Sequence, residues 1–261
     1  MSALRVVSPD GTIIACESGG AGPALVLVHG SGGTGAQFVE VCTALEDRFR
    51  VIAMDRRGHG ASGDASAYDL SREGEDIAAV LTAVGGGDVV AHSYGGLCAL
   101  RAALDGAAVR RLVLYEAPVV TAAGAYFPDA LIPAMRAAVD AGDGEAAVAA
   151  FARIVRGATE AQVTQMRRMP GWDDRVAQAA VLLRELEAVD RFRLDGVDFA
   201  RWTMPTLLLR GEHSAADYVA TAAALEAAMP GSRTAILSGQ AHGAIEAAPA
   251  AFADVVLEFL A

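Results

Sequence analysis

The stretch that decides the fold is Val89-Val90-Ala91-His92-Ser93-Tyr94-Gly95-Gly96, which is followed directly by the helix-compatible residues 97–104. An apolar run, a serine between small residues and a helical segment are typical of a strand, a sharp turn and a helix. A serine at such a turn is pushed out of the backbone with its Oγ exposed, since only small residues around it leave room for the turn. By itself the pattern indicates either an ordinary turn or a nucleophilic Ser93, with Ala91 where the usual motif has a glycine.

The length and composition suit a single α/β domain with an insertion or two small domains, and we favour the single domain. With 261 residues, of which 53% are hydrophobic, the chain can bury a large core. The net charge of −11 argues against nucleic acid and anionic membranes as partners, because phosphate contacts need clustered basic residues. The start lacks a leader pattern, and no apolar run reaches membrane-spanning length. We therefore expect a soluble, cytoplasmic protein, a monomer or homodimer, with no membrane partner.

Two further features of the composition narrow the chemistry. The chain has no lysine, which excludes a Walker A loop, a pyridoxal phosphate Schiff base and an S-x-x-K site. Its three cysteines, Cys16, Cys42 and Cys98, are widely spaced in apolar surroundings. We expect buried free thiols in a reducing compartment, and neither a disulfide framework nor a metal site.

Strand and helix patterns alternate along the first half of the chain. The Asp10-Gly11 pair between two short apolar segments predicts a hairpin, so two antiparallel strands open the fold. Continuous apolar runs then predict strands that are buried on both faces. The predicted strands are residues 4–7, 12–17, 24–28, 50–54, 111–115, 205–210 and 234–237 together with the run before Ser93, and residues 70–84 are predicted to form a helix.

The glycine loop Gly30-Ser31-Gly32-Gly33-Thr34-Gly35 has two interpretations. It fits the G-x-G-x-x-G pattern of dinucleotide binding, with Asp55 at the spacing of a ribose-binding acid. Two strands precede it, however, and no lysine exists to complete a Tyr-x-x-x-Lys pair. Glycines beside a nucleophile also free backbone N–H groups to form an oxyanion hole, and we favour this second interpretation.

Three ordered motifs together resemble the α/β-hydrolase superfamily. They are His29-Gly30-Ser31-Gly32, the run Asp55-Arg56-Arg57-Gly58-His59-Gly60-Ala61-Ser62, and the turn at Ser93. The resemblance covers the whole chain and implies an eight-stranded, mostly parallel sheet flanked by helices, with a helical cap inserted after the sixth strand. We place the core domain at residues 1–118 and 204–261 and the cap at 119–203. The cap is expected to contain helices over residues 131–141, 144–156, 160–169 and 174–189, and a last helix is expected over 245–260.

The expected triad departs from the family pattern at its acid. The pattern Gly-Glu-x-Asp places the acid after the seventh strand, but Ser214 occupies that position and cannot carry a negative charge. Glu116 is the best candidate instead, because it ends the strand beside the Ser93 strand, as the acid does in some members of the superfamily. Glu212 and Asp217 are weaker alternatives.

The resemblance implies that the triad residues follow one another along the chain in the order serine, acid, histidine. His213 and His242 are then the two candidates for the base. His242 lies in the loop where the family carries its catalytic histidine. Ser93 then attacks a carbonyl, His242 takes the proton and Glu116 stabilises the imidazolium. The N–H groups of Tyr94 and Ser31, with Gly32 as the alternative donor, hold the oxyanion.

We therefore expect a hydrolase of a small carboxylic ester or lactone that needs no cofactor and no metal. A small-molecule receptor of the same fold, a carbon–carbon bond hydrolase and an acyltransferase remain alternatives.

Overall fold

One sheet runs through the computed structural model, which describes residues 2–121, 126–156, 158–169, 171–200 and 202–261. Within these ranges eight strands join the sheet, in the spatial order first, second, fourth, third, fifth, sixth, seventh, eighth. They are β1 (Ser2–Val7), β2 (Ile13–Gly19), β3 (Ala24–Val28), β4 (Arg50–Met54), β5 (Gly87–His92), β6 (Val109–Tyr115), β7 (Thr206–Gly211) and β8 (Ser232–Leu237).

The sheet is mostly parallel, as predicted. Strands β1 and β2 form an antiparallel hairpin, and β2 pairs antiparallel with β4. All other neighbours are parallel. The hairpin turns at Gly11, whose φ of 88° lies in the left-handed region that glycine tolerates. The predicted fold class is confirmed.

Helices cover both faces of the sheet. Each buried strand sends alternate side chains to opposite faces, so Val26 and Val28 of β3 join one apolar cluster while Leu25 and Leu27 join the other. None of the helices in the described part of the chain is long and apolar enough to cross a membrane. The helices outside the β6–β7 connection are α1 (Val39–Leu45), α2 (Leu70–Val84), α3 (Tyr94–Leu104), α9 (Ala216–Ala228), α10 (Ala244–Ala247) and α11 (Pro249–Phe259).

The long connection between β6 and β7 is helical. Two of the predicted helices are each interrupted in the structure, although the helical pattern of the sequence continues through the interruption. The helix expected over residues 174–189 is two helices that meet at Gln178, and the last helix is interrupted before Pro249, which starts α11 because proline suits a first helical turn. The helix expected over 160–169 ends at Met166. The connection contains α4 (Leu131–Asp140), α5 (Gly144–Arg156), α6 (Glu160–Met166), α7 (Trp172–Ala177) and α8 (Ala179–Arg191).

The start of α3 touches the backbone at the end of β3. This contact predicts how a methyl group added at Gly95 changes the stability of the protein. A Cβ on Gly95 would lie 2.3 Å from the carbonyl oxygen of His29 and 2.8 Å from that of Val28. Gly95→Ala is therefore expected to lower the free energy of unfolding by about 1–3 kcal/mol or more, as overpacking does. Urea denaturation measures this.

Gly196→Ala is the matched control, because a Cβ there meets no atom within 4 Å. It is expected to change the unfolding free energy by less than about 0.5 kcal/mol. Equal stability of the two variants would contradict the close-packing argument.

Candidate active site

Ser93 lies at the turn between β5 and α3, as the sequence predicts. Its backbone has φ 52° and ψ −127°, a conformation that a side-chain-bearing residue rarely adopts. The loop after β3 passes close by, since a Cβ on Gly30 would lie 2.9 Å from the Cβ of Ser93. The Ser93 N–H donates to the carbonyl of Tyr115 at 2.8 Å, which ties the turn to the end of the next strand. The turn therefore presents Ser93 at the carboxyl edge of the sheet.

His242 lies in the loop between β8 and α10 and faces Ser93. Its Nε2 is 3.1 Å from Ser93 Oγ, and its Nδ1 is 2.6 Å from Glu116 Oε2. Because Nδ1 donates to a carboxylate, Nε2 is left to accept the hydroxyl proton of Ser93. The side chain is 38% exposed, so the imidazole is open to solvent on one side.

Glu116 follows β6 and completes this chain of contacts. Its side chain is fully buried, and its backbone φ of 50° is also positive. Oε1 accepts the N–H of Gly211 at 2.9 Å and the hydroxyl of Ser214. Burial alone raises the pKa of Glu116, but the hydrogen bonds from His242, Gly211 and Ser214 outweigh it and hold the pKa below its ordinary value of 4.5. Glu116 is therefore a buried carboxylate held in its charged form.

The two alternative acids lie elsewhere. Glu212 Oε2 accepts from the Ser238 hydroxyl at 2.9 Å and from the Gly239 N–H at 2.7 Å. Asp217 sits in the first turn of α9. Among the described residues, Glu116 alone places a carboxylate in hydrogen-bond contact with His242.

Three further side chains hold this arrangement, and the sequence interpretation missed them. Ser214 stands where the family pattern has its acid and donates to Glu116 instead. The Nε2 of His92 donates to the His242 carbonyl at 3.1 Å. The ring of Tyr218 stacks on His242 with centroids 4.5 Å apart and an angle of 11°. The adjacency of His92 to Ser93 was a usable signal, whereas nothing in the sequence marked Tyr218.

The residues expected to supply oxyanion donors belong to the two segments that meet at Ser93, the loop after β3 and the start of α3. Ser31 and Gly32 follow β3, and Gly32 has φ 67°. Tyr94 is the first residue of α3, where backbone N–H groups have no partner within the helix. The close contact of Gly95 with the His29 carbonyl sets the loop and the helix start side by side. This edge can therefore offer N–H groups to a developing negative charge.

Asp55, which the dinucleotide interpretation assigns to ribose binding, is hydrogen-bonded to residues of the protein itself. Its Oδ1 accepts the N–H of Gly35 and its Oδ2 that of Ala61, each at 2.8 Å. Its backbone carbonyl accepts the Ser62 hydroxyl at 2.6 Å. Asp55 thus ties the glycine loop to the loop after β4, which is a structural role.

The cysteines and acids of the described chain assemble no metal centre. In those residues, no three His, Cys, Asp or Glu side chains cluster in a way that could hold a metal ion. Cys16, Cys42 and Cys98 are free and buried, as expected from their apolar surroundings.

Comparison with known proteins shows the family of this chain. Residues 25–255 match the profile of the alpha/beta hydrolase family. The crystal structure of an alpha/beta hydrolase from Sphaerobacter thermophilus DSM 20745 is 34% identical, with a TM-score of 0.85 over 99% of this chain and 100% of that one. The esterase RhEst1 from Rhodococcus sp. ECU1013 is 26% identical, with a TM-score of 0.71 over 100% of this chain and 98% of that one.

The matches to curated relatives cover only part of the length of those relatives. Polyketide synthase ThaQ from Burkholderia thailandensis is 30% identical over 283 residues, which cover 100% of this chain and 13% of ThaQ. The matches span 13% to 33% of the length of the first four curated relatives.

The lowered pKa of Glu116 predicts a pH-dependent contribution to stability. A depressed pKa means that the charged form stabilises the folded state above the ordinary value of 4.5, and that this contribution is lost as the pH falls through the folded-state pKa. Glu116→Gln removes the charge. The unfolding free energy of the wild type should exceed that of the variant most at about pH 7, and the gap should shrink below about pH 4.5.

Urea denaturation from about pH 7 to about pH 3 measures both proteins. Glu258→Gln, at an exposed position, is the control. Its unfolding free energy should stay close to that of the wild type at every pH. A gap for Glu116→Gln that widens as the pH falls would contradict the assignment.

Proposed function

Since the chain belongs to the alpha/beta hydrolase family, we propose that it is a serine hydrolase that cleaves a carboxylic ester or a lactone through an acyl-enzyme on Ser93. One observation carries the proposal. Ser93 Oγ, the imidazole of His242 and the carboxylate of Glu116 form a continuous chain with separations of 3.1 Å and 2.6 Å. This is the arrangement of a nucleophile, a base and an orienting acid.

The chemistry follows from the protonation states. His242 Nε2 takes the Ser93 proton as Oγ attacks the carbonyl carbon, and the buried charge of Glu116 stabilises the imidazolium that forms. The N–H groups of Tyr94 and Ser31, or of Gly32, stabilise the oxyanion of the tetrahedral intermediate. The imidazolium then protonates the leaving group. Water, activated by the same imidazole, hydrolyses the acyl-enzyme and regenerates the serine. No step requires a metal or an organic cofactor.

The choice of ester or lactone rests on the nucleophile and on the relatives. A serine nucleophile forms an acyl ester with a carbonyl substrate. The 26% identical structure from Rhodococcus is that of an esterase, which supports the same substrate class. A receptor of the same fold would not need a buried carboxylate that orients His242, so the intact chain of contacts favours an enzyme. Carbon–carbon bond hydrolysis and acyl transfer use the same serine and are distinguished by substrate tests.

We propose further that residues 119–203 form a cap and that residues 1–118 and 204–261 form the core. The helices between β6 and β7 carry an apolar cluster of their own, which supports a separate packing unit. Its buried members are Leu131, Met135, Ala147, Val148, Trp172, Ala179, Leu183 and Leu186.

The proposal predicts turnover that depends on one hydroxyl. Purified protein should release nitrophenol from short-chain nitrophenyl esters, and Ser93→Ala should lower kcat by more than about 10³-fold while it unfolds at the same temperature. Absorbance assays and melting curves measure both. A folded Ser93→Ala variant that retains wild-type kcat would remove Ser93 from the mechanism, and an inactive wild type would favour the receptor alternative.

The proposed position of the acid predicts that Glu116→Gln and Glu212→Gln differ in kcat. Glu116→Gln keeps the size of the side chain but removes the charge that stabilises the imidazolium, so kcat should fall on the order of 10⁴-fold. Glu212→Gln, at the rival acid, is the matched control and should retain kcat within about threefold. A reversed ranking of the two variants would move the triad acid to Glu212.

A further inference from the structure

We propose that Arg56 and Glu185 are positioning residues for the oxyanion hole, and that Glu185 makes the geometry of this hole depend on helix α8 of the β6–β7 connection. The inference rests on the proposed serine hydrolase function. It concerns a buried ionic cluster under the loop after β3, which the mechanism above does not use.

The direction of the Ser31 N–H follows from the carbonyl before it. The carbonyl oxygen of Gly30 accepts from Nδ1 of His29 at 2.8 Å and from Nη2 of Arg56 at 3.2 Å. The Gly33 N–H donates to the same oxygen at 3.2 Å. In a planar trans peptide, the C=O of one residue and the N–H of the next point in opposite directions. Three donors that hold the Gly30 carbonyl inward therefore turn the Ser31 N–H outward.

Arg56 fixes the preceding residue of the loop as well. Its Nε donates to the His29 carbonyl at 2.9 Å, and its backbone N–H donates to His29 Nε2 at 3.0 Å. Burial and the neighbouring positive charge of Arg56 hold the pKa of His29 well below its usual range, so the ring stays neutral and accepts at Nε2 while it donates at Nδ1. The guanidinium thus anchors both carbonyls that precede Ser31.

A buried guanidinium needs opposite charge, and one of its partners comes from far along the chain. Arg56 pairs with Glu73 of α2 at 2.9 Å and with Glu185 of α8 at 2.7 Å, and all three side chains are fully buried. Without these carboxylates, burial of the positive charge would be strongly unfavourable. Glu185 therefore helps to keep Arg56 in the place from which it holds the loop.

Glu185 also contacts His59, in the loop after β4. Its Oε1 lies 2.8 Å from His59 Nε2. Burial alone raises the pKa of Glu185, but the positive charge of Arg56 and the hydrogen bond from His59 hold the pKa of Glu185 far below its usual value. Through Arg56, a charged Glu185 links α8 to the loop that carries the expected oxyanion donor, so a displacement of α8 would disturb that donor.

The test compares Glu185→Gln with Glu187→Gln, the same substitution two residues along α8. Glu187 pairs with Arg136 and Arg191 near the surface and does not belong to the buried cluster. With nitrophenyl acetate as substrate, Glu185→Gln should lower kcat per folded molecule roughly 10- to 100-fold and leave KM within about threefold, because oxyanion stabilisation acts in the transition state. Glu187→Gln should stay within about twofold of the wild type for both constants.

Two further measurements separate positioning from mere stability. The affinity for a trifluoromethyl ketone, which forms an oxyanion on Ser93, should fall in Glu185→Gln by about the same factor as kcat/KM. Arg56→Lys keeps the positive charge but loses the guanidinium donors to the His29 and Gly30 carbonyls, so kcat should fall in this variant as well. The double variant Arg56→Lys/Glu185→Gln should lose less than the product of the two single losses.

The outcomes distinguish the two proposals. An active wild type with an unchanged kcat in folded Glu185→Gln, or with losses that multiply in the double variant, would overturn this inference alone. A wild type that neither hydrolyses the ester nor binds the ketone would overturn the proposed function and this inference with it. If Glu185→Gln fails to fold, Glu185→Asp replaces it, because its shorter side chain withdraws the carboxylate from Arg56. A wild-type kcat in folded Glu185→Asp together with unchanged ketone affinity would overturn the coupling of loop and helix.

Discussion

The turn at Ser93 can form only because the backbone around it lacks side chains. The loop after β3 passes within contact of Ser93 at Gly30, and α3 begins against the His29 carbonyl at Gly95. A methyl group at either glycine would push these segments apart. Their contact places the serine, the helix start and the loop at one edge of the sheet. Since the carboxyl ends of parallel strands share that edge, residues that follow β6 and β8 reach the same place.

Backbone strain marks two neighbouring points of this edge. Ser93 and Glu116, which follow the adjacent strands β5 and β6, are the two non-glycine residues with positive φ in the described part of the chain. Such conformations persist only where surrounding contacts determine them, and they cluster at functional sites. At Glu116 the contacts are hydrogen bonds from Gly211, Ser214 and His242. Ser214, at the position where the family pattern has its acid, is therefore part of the arrangement that holds the Glu116 carboxylate in place.

Local sequence patterns predicted most of the strands and helices. Most of the features that these patterns did not predict depend on contacts between residues that lie far apart in the chain. Strand runs such as that of β3 and the periodicity of α2 were read from neighbouring residues, and the structure has both elements. The motifs predicted that Ser93 and the glycine loop would meet at this edge, and the position of Glu116 at the end of the neighbouring strand predicted that it would lie there as well. The break at Gln178 left no mark in the helical pattern, and Gln178 Oε1 lies 3.0 Å from His59 Nδ1, 119 residues away. Arg56 and Glu185 are 129 residues apart in the chain, and no pattern among neighbouring residues predicts that they pair.

The most direct test of the account is mass spectrometry of the protein after reaction with a fluorophosphonate, which adds to activated serines. The account predicts one adduct per chain, on the peptide that contains Ser93, with labelling strongly slowed in folded Glu116→Gln. An adduct on another residue would contradict the central claim that Ser93, His242 and Glu116 form a working nucleophile, base and acid. So would the absence of labelling in folded wild-type protein.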